Sequence, residues 1–208
     1  MLNIAVLVSG GGTTLQSIID SVDSGLIQNG RIVRVISSKP GVFSLERASK
    51  HNIPSIVVAR KEYDDIVKYT DKICGILQSD SIDLIVLAGF LTILDKSIVE
   101  QYKNRIINTH SALIPSFCGK GYYGLKVHQA VIDYGVKITG ATVHFVNEIT
   151  DGGPIILQKA VEVMENDTAE TLQKRVLEQC EHDILPKAVA LFCQGRLDVI
   201  DNKVKIKY

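Results

Sequence analysis

Leu2-Asn3-Ile4-Ala5-Val6-Leu7-Val8-Ser9-Gly10-Gly11-Gly12-Thr13-Thr14-Leu15-Gln16-Ser17-Ile18-Ile19 is the stretch on which the fold turns. Ile4 to Val8 is short and wholly apolar, the pattern of a strand buried on both faces of a parallel sheet. The run breaks at three glycines and resumes as Leu15, Ile18, Ile19 and Val22 at helical spacing. Strand, glycine turn and helix together predict the first step of an alternating α/β chain.

The alternation continues outward. Ile32 to Ile36 reads as the second strand, Ser44 to Asn52 as a helix, and Ile53 to Val58 as a strand opened by Pro54. Tyr63 to Leu77 is a polar-faced helix with Ile66, Ile73 and Leu77 on its apolar stripe. Leu84 to Leu87 is the most apolar strand and runs into Ala88-Gly89-Phe90; Ile106-Ile107 leads into Asn108-Thr109-His110. The pattern then changes. Residues 111–125 form an aperiodic loop rich in Gly, Ser, Pro and Tyr, and a helix over Val127–Tyr134 ends at Gly135, a natural C-cap. Two strands, Thr139 to Val146 and Ile155 to Val163, flank Asn147-Glu148-Ile149-Thr150-Asp151-Gly152-Gly153-Pro154. Thr168 caps a long helix, with Thr171 rather than Glu in the capping-box position, and Pro186 is expected to interrupt it before Cys193. The tail predicts a hairpin turning at Asp201-Asn202. The expected fold class is α/β: a single Rossmann-like domain, with a parallel half over 1–107 and antiparallel strands in the half over 108–208.

Composition narrows the function. In 208 residues, 23 Lys+Arg balance 23 Asp+Glu, hydrophobic residues make up 46% and charged residues 22%. That balance suits a soluble globular protein, and a chain of this size buries roughly 70% of its unfolded surface without staples. Without clustered cations the chain is not expected to bind nucleic acid. No apolar run reaches the roughly 18 residues of a membrane span, and the first residues lack a signal peptide's basic region, so no membrane partner is expected. Cys74, Cys118, Cys180 and Cys193 form no CxxC pair, which argues for reduced thiols and a cytoplasmic location.

The glycine loop offers backbone N–H donors at a helix N-terminus, a site for phosphate or carboxylate. A dinucleotide fingerprint would place a third glycine where Leu15 stands and a carboxylate near the end of strand two, which reads Ile36-Ser37-Ser38-Lys39. No Walker lysine precedes Thr13-Thr14. A monophosphate therefore fits better than NAD or a nucleoside triphosphate, beside the plainer reading of a structural turn.

Among the five histidines no HxH or HExxH occurs, so no metal is expected. His51 and His128 fall on predicted surface helices, His144 reads as a satisfied strand histidine, and His182 as a structural residue of the long helix or a support to the site. His110 differs, because it ends a strand before an irregular loop, where ligands of parallel sheets gather. Asn108, two residues earlier, projects to the same face, and an amide beside an imidazole can hold the oxyanion of an acyl-transfer intermediate. Asp151 is either a turn residue or a carboxylate that stabilises the imidazolium.

Val8-Ser9-Gly10-Gly11-Gly12-Thr13-Thr14-Leu15-Gln16, Leu87-Ala88-Gly89-Phe90-Leu91 and Asn108-Thr109-His110-Ser111-Ala112-Leu113-Ile114-Pro115 resemble segments of the folate-dependent formyltransferases. So do Gly140-Ala141-Thr142-Val143-His144-Phe145-Val146, Asp151-Gly152-Gly153-Pro154 and Glu181-His182. The length is similar to that of the members that move a formyl group from 10-formyltetrahydrofolate to the amine of glycinamide ribonucleotide in purine biosynthesis. The resemblance implies that Asn108, His110 and Asp151 are catalytic. It implies that Gly12, Thr13, Thr14 and Glu181 bind the ribonucleotide, and that Arg60, Leu91, Thr92, Ile93, Leu94 and Asn108 bind the folate. Residues 1–107 would then carry the nucleotide phosphate, and 108–208 the catalytic and folate machinery. The implied partners are these two small molecules, the folate being a consumed cosubstrate, and the chain is expected as a monomer or weak homodimer. It departs from the family pattern at Ser111, commonly proline, at Thr14, commonly asparagine, and at Thr92, commonly arginine.

Overall fold

Strand β1 (Leu2–Val8) is the axis of the first half, with Ile4 through Val8 fully buried. It pairs in parallel with β2 (Gly30–Ser37) on one side and β4 (Leu84–Leu87) on the other, in register Val6–Val35 and Val6–Val86. The short β3 (Ser55–Val57) adds in parallel to β2, so the order is β3-β2-β1-β4. That order reverses direction at β1 and β4, and loops leaving the carboxyl ends of these two strands lie at the switch point where such sheets bind ligands. The computed structural model describes residues 1–207, which form two compact units, 1–107 and 108–207.

The first unit contains helices α1 (Thr13–Asp23), α2 (Phe43–Lys50), α3 (Ile66–Ser79) and α4 (Lys96–Gln101). Leu15, Ile18 and Ile19 bury the apolar stripe of α1. Helix α3 starts three residues later than its apolar spacing suggests, because Asp65 caps it by accepting from the Val67 N–H at 2.9 Å. Tyr63 instead follows a 3₁₀ turn over Arg60–Glu62. Helix α4 escaped the sequence pattern, being only six residues long, and is likewise opened by an aspartate, Asp95.

Strand β5 (Ile106–His110) spans the unit boundary. The second unit continues with α5 (Leu125–Tyr134), which ends at Gly135 in the left-handed region, as the sequence predicts. Strands β6 (Ile138–Phe145) and β7 (Ile155–Glu162) pair antiparallel, with a register shift between Val143 and His144. Gly140 is required there, since a Cβ would run into the backbone carbonyl of Lys159. Hairpin β8 (Leu197–Ile200) and β9 (Lys203–Ile206) turns at Asp201 and Asn202, both with positive φ.

The long C-terminal helix departs from expectation. It is α6 (Ala169–Val176), a π turn over Leu177–Glu181, and α7 (His182–Cys193), with Pro186 inside α7. A proline ring crowds the carbonyl four residues before it. That position is His182, so the helix widens just upstream and remains continuous through the proline. Thr171 does complete a capping box with Thr168 despite lacking a carboxylate. Among the described residues no helix is long and apolar enough to cross a membrane.

Asp167 ties α6 to the end of β7. Its carboxylate takes two hydrogen bonds from Arg175, both at 2.6 Å, and Arg175 also donates to the Glu162 carbonyl. Arg175 holds the Asp167 carboxyl at about 2, against about 3.9 in an unfolded chain. A lowered carboxylate stabilises the fold above its unfolded value and stops doing so as pH falls through its folded one. Asp167→Asn should therefore lower Tm at pH 7, and the gap from wild type should shrink steadily between pH 5 and pH 3. A gap independent of pH over that range would show that the charge is not what the pair contributes.

Candidate active site

Four polar side chains of the second unit converge where β5 ends and β6 gives way to its loop. The Asn108 Nδ2 lies 3.2 Å from His144 Nε2, His110 Nδ1 lies 3.6 Å from Asp151 Oδ2, and His144 Nε2 lies 3.8 Å from Asp151 Oδ1. His110 and His144 are 7% and 2% exposed. Asn108, His110 and Asp151, singled out from scattered segments, thus share one site, and His144 connects them.

The hydrogen bonds decide where the protons sit. His144 Nδ1 is 2.8 Å from the Phe145 carbonyl, which can only accept, so Nδ1 carries the proton. Burial pushes the His144 pKa down, so the ring is neutral and Nε2 is a bare acceptor. The amide of Asn108 must then donate to it, which fixes that amide's orientation and leaves its second N–H for a ligand. His144 is the satisfied histidine the strand pattern suggests, and it also orients Asn108. The chemistry of its neighbours, not its own position in the sequence, gives it that role.

His110 is held in the same manner. Its Nε2 donates to the carbonyl of Phe117 at 2.8 Å, leaving Nδ1 toward Asp151. At 3.6 Å these two atoms are too far apart for a direct hydrogen bond. Asp151 is itself a turn residue with φ 55°, a conformation that Asp tolerates, and from that turn its carboxylate faces His110. Its Oδ2 accepts from the Gly119 N–H at 2.8 Å, so the 111–124 loop supplies a carbonyl to the histidine and an amide to the aspartate.

Two further groups border this cluster. Glu181 ends the π turn with its carboxyl buried; burial pushes its pKa up, and the Ser111 hydroxyl donates to Oε1 at 2.6 Å. His128 contradicts the expectation of a surface helix position, because α5 turns Val127, His128 and Val131 inward and leaves the ring fully buried. Burial and the neighbouring His110 push it down to about 4, so it is a neutral ring packed beside the site. Among the described residues, no group of three or more His, Cys, Asp or Glu is placed to hold a metal ion.

The first unit carries the glycine loop. Gly12 has φ 73° and caps α1 without a side-chain bond, and its Cβ position lies 2.6 Å from the Ser44 Cβ, so only glycine fits. The first N–H groups of α1, from Thr13 onward, have no intrahelical acceptor and are available to an anion. Thr13 is exposed and Thr14 buried. Arg47, which sequence reasoning passed over, donates to the Gly11 carbonyl and to Gln16 Oε1, both at 3.0 Å, setting a cation on the loop. The segment after β4 is tied to the same loop: the Leu91 N–H donates to Ser9 Oγ at 3.0 Å, while Leu91 and Ile93 are 60% and 72% exposed. Arg60 donates to the Tyr63 carbonyl and stacks over the Tyr69 ring, which Thr92 of that segment also approaches.

Comparison with known proteins gives the family. The formyl transferase family profile matches residues 2–189, and the chain belongs to that family. It is 42% identical over 202 residues to the phosphoribosylglycinamide formyltransferase of Haemophilus influenzae, covering 97% of this chain and 92% of that one. It is 38% identical to the chloroplastic phosphoribosylglycinamide formyltransferase of Arabidopsis thaliana, covering 93% of this chain and 66% of the relative. The crystal structure of glycinamide ribonucleotide transformylase 1 from Symbiobacterium toebii superposes with a TM-score of 0.94 at 38% identity, covering 100% of this chain and 95% of that one.

His144→Phe removes the acceptor of Asn108 and the donor to Phe145. Each buried group left unpaired costs about 1–3 kcal/mol, so the urea midpoint should fall with little change in slope. In the double variant with Asn108→Leu the losses should be less than additive, because both substitutions break the same bond. Additive losses would mean that the two side chains act independently.

Proposed function

We propose that this chain transfers the formyl group of 10-formyltetrahydrofolate to the amine of phosphoribosylglycinamide, a step of purine biosynthesis. The observation that carries the reading is the cluster of Asn108, His110 and Asp151, in which a free amide N–H, an imidazole nitrogen and a carboxylate converge. The end-to-end identity with named formyltransferases supports it.

The substrate amine attacks the formyl carbon, and the C=O pair moves onto oxygen. The free N–H of Asn108 and the Nδ1–H of charged His110 donate to that developing oxyanion, a preorganised stabilisation worth about 10²–10³-fold per donor. Asp151 stabilises the imidazolium. The attacking nitrogen then sheds a proton and the folate nitrogen takes one as the C–N bond breaks, with Asp151 as the relay, directly or through a water. The formyl carbon ends on the amine and tetrahydrofolate leaves. No covalent intermediate on the protein is needed.

In this reading Gly12, Thr13 and Thr14 hold the ribonucleotide phosphate through backbone N–H groups and hydroxyls, with the Arg47 guanidinium reducing the charge cost. Glu181 contacts the nucleotide. Leu91, Thr92, Ile93 and Leu94 line the folate with apolar surface, and Arg60 meets its outlying carboxylates. The chain acts as a monomer or weak homodimer in the cytoplasm, where its free cysteines stay reduced.

The test is an absorbance assay for tetrahydrofolate, with each substrate omitted in turn. Turnover should require both. Release of formate without the ribonucleotide would make the chain a hydrolase of formyl folate instead. Asp151→Asn should lower kcat about 10²–10⁴-fold with ribonucleotide binding retained by calorimetry. A variant within about threefold of wild type would remove the carboxylate from the proposed mechanism.

A further inference from the structure

The Glu181 carboxyl is buried at the end of the π turn, and the Ser111 hydroxyl, directly after His110, donates to its Oε1 at 2.6 Å. A carboxylate offers about four lone-pair sites, so one hydroxyl fills only part of its capacity. Oε2 is the oxygen left for donors that a ligand brings, and a ribose diol brings two hydroxyls. A glutamate side chain has three rotatable bonds, and a single short bond to a residue on the neighbouring strand end removes most of that freedom before the ligand arrives. The π turn serves the same end, since it offsets Glu181 by one residue from the α-helical path.

Ser111 stands where the resembled family commonly has proline, which has neither hydroxyl nor backbone N–H. A proline there cannot make this bond.

We propose that Ser111 is a positioning residue that fixes the Glu181 carboxyl for the hydroxyls of the nucleotide substrate, so that it governs ribonucleotide affinity and not the formyl-transfer step. The inference rests on the reading of Glu181 as a nucleotide contact. The hydroxyl stays protonated throughout and takes no part in moving the formyl group. Its effect is on binding, and the substrate need only present hydroxyl donors.

Steady-state kinetics on Ser111→Ala, Ser111→Thr, Glu181→Gln and the double variant Ser111→Ala with Glu181→Gln test this. Ser111→Ala should raise the KM for phosphoribosylglycinamide about 5–10-fold, because what is lost is the orientation of a ligand-binding group and not a bond to the ligand itself. It should leave kcat and the KM for 10-formyltetrahydrofolate within about twofold. Ser111→Thr keeps the hydroxyl and should restore the affinity. The double variant should be no weaker than Glu181→Gln alone, because the hydroxyl then has nothing to position. Tm values alongside show that each variant is folded.

A raised KM in Glu181→Gln with an unchanged KM in Ser111→Ala would overturn the role of Ser111 while leaving Glu181 a nucleotide contact. Unchanged ribonucleotide KM in both would overturn the reading of Glu181 itself. A fall in kcat of Ser111→Ala at constant KM would overturn the proposal in favour of an effect on His110.

Discussion

A buried imidazole with a backbone carbonyl against one nitrogen has only one place for its first proton, and the second unit is organised around two such rings. Phe145 fixes the proton of His144 on Nδ1, and Phe117 fixes that of His110 on Nε2. Everything polar nearby follows from these two assignments. The bare Nε2 of His144 makes Asn108 a donor with a second N–H to spare. The remaining nitrogen of His110 faces the Asp151 carboxylate at 3.6 Å. In a dry interior such groups cannot reorient at will, because any other arrangement would strand a donor or an acceptor at a cost of about 1–3 kcal/mol. Preorganisation here is a consequence of satisfying hydrogen bonds without water.

The first unit solves a simpler problem with main-chain geometry. A strand buried on both faces must leave the sheet abruptly, and the left-handed Gly12 makes that turn while giving α1 an uncapped start. The lack of a side-chain cap is what makes the helix start receptive to an anion. Close packing of Ser44 against Gly12 and the bonds from Arg47 to Gly11 and Gln16 hold the loop open in that shape. Ser9 joins it to Ser38 and Leu91, so the turn and the segment after β4 share one buried hydroxyl.

Much of this was legible in advance because it depends on local periodicity and on residues with strong backbone preferences. The run Ile4–Val8, the run Leu84–Leu87, the Gly135 cap and the Asp201-Asn202 turn each carry their own instruction. Local signals misled where a different local signal outcompeted them. Asp65 and Asp95 set the starts of α3 and α4, and a six-residue helix such as α4 is too short to display a period. Pro186 predicts a break in the helix over 169–193, whereas the chain widens into a π turn just before the residue that the proline ring would crowd. His128 reads as a surface position, and a histidine on α5 gives no sign of which way its helix will turn.

The sequence by itself determined the alternation of strands and helices, the switch to antiparallel strands after residue 108, the glycine loop, and the candidacy of Asn108, His110 and Asp151. Each of these follows from residue type, spacing or order along one segment. Only the tertiary structure decided that His144 orients Asn108, that Phe117 and Gly119 lend backbone groups to His110 and Asp151, and that Ser111 reaches Glu181 across 70 residues. The physical reason is the range of the interactions. Periodicity and turn propensity act over a few residues and leave a mark in the order of the chain. A hydrogen bond between buried groups depends on two atoms meeting within about 3 Å, a condition that folding creates and that the residues between them do not record.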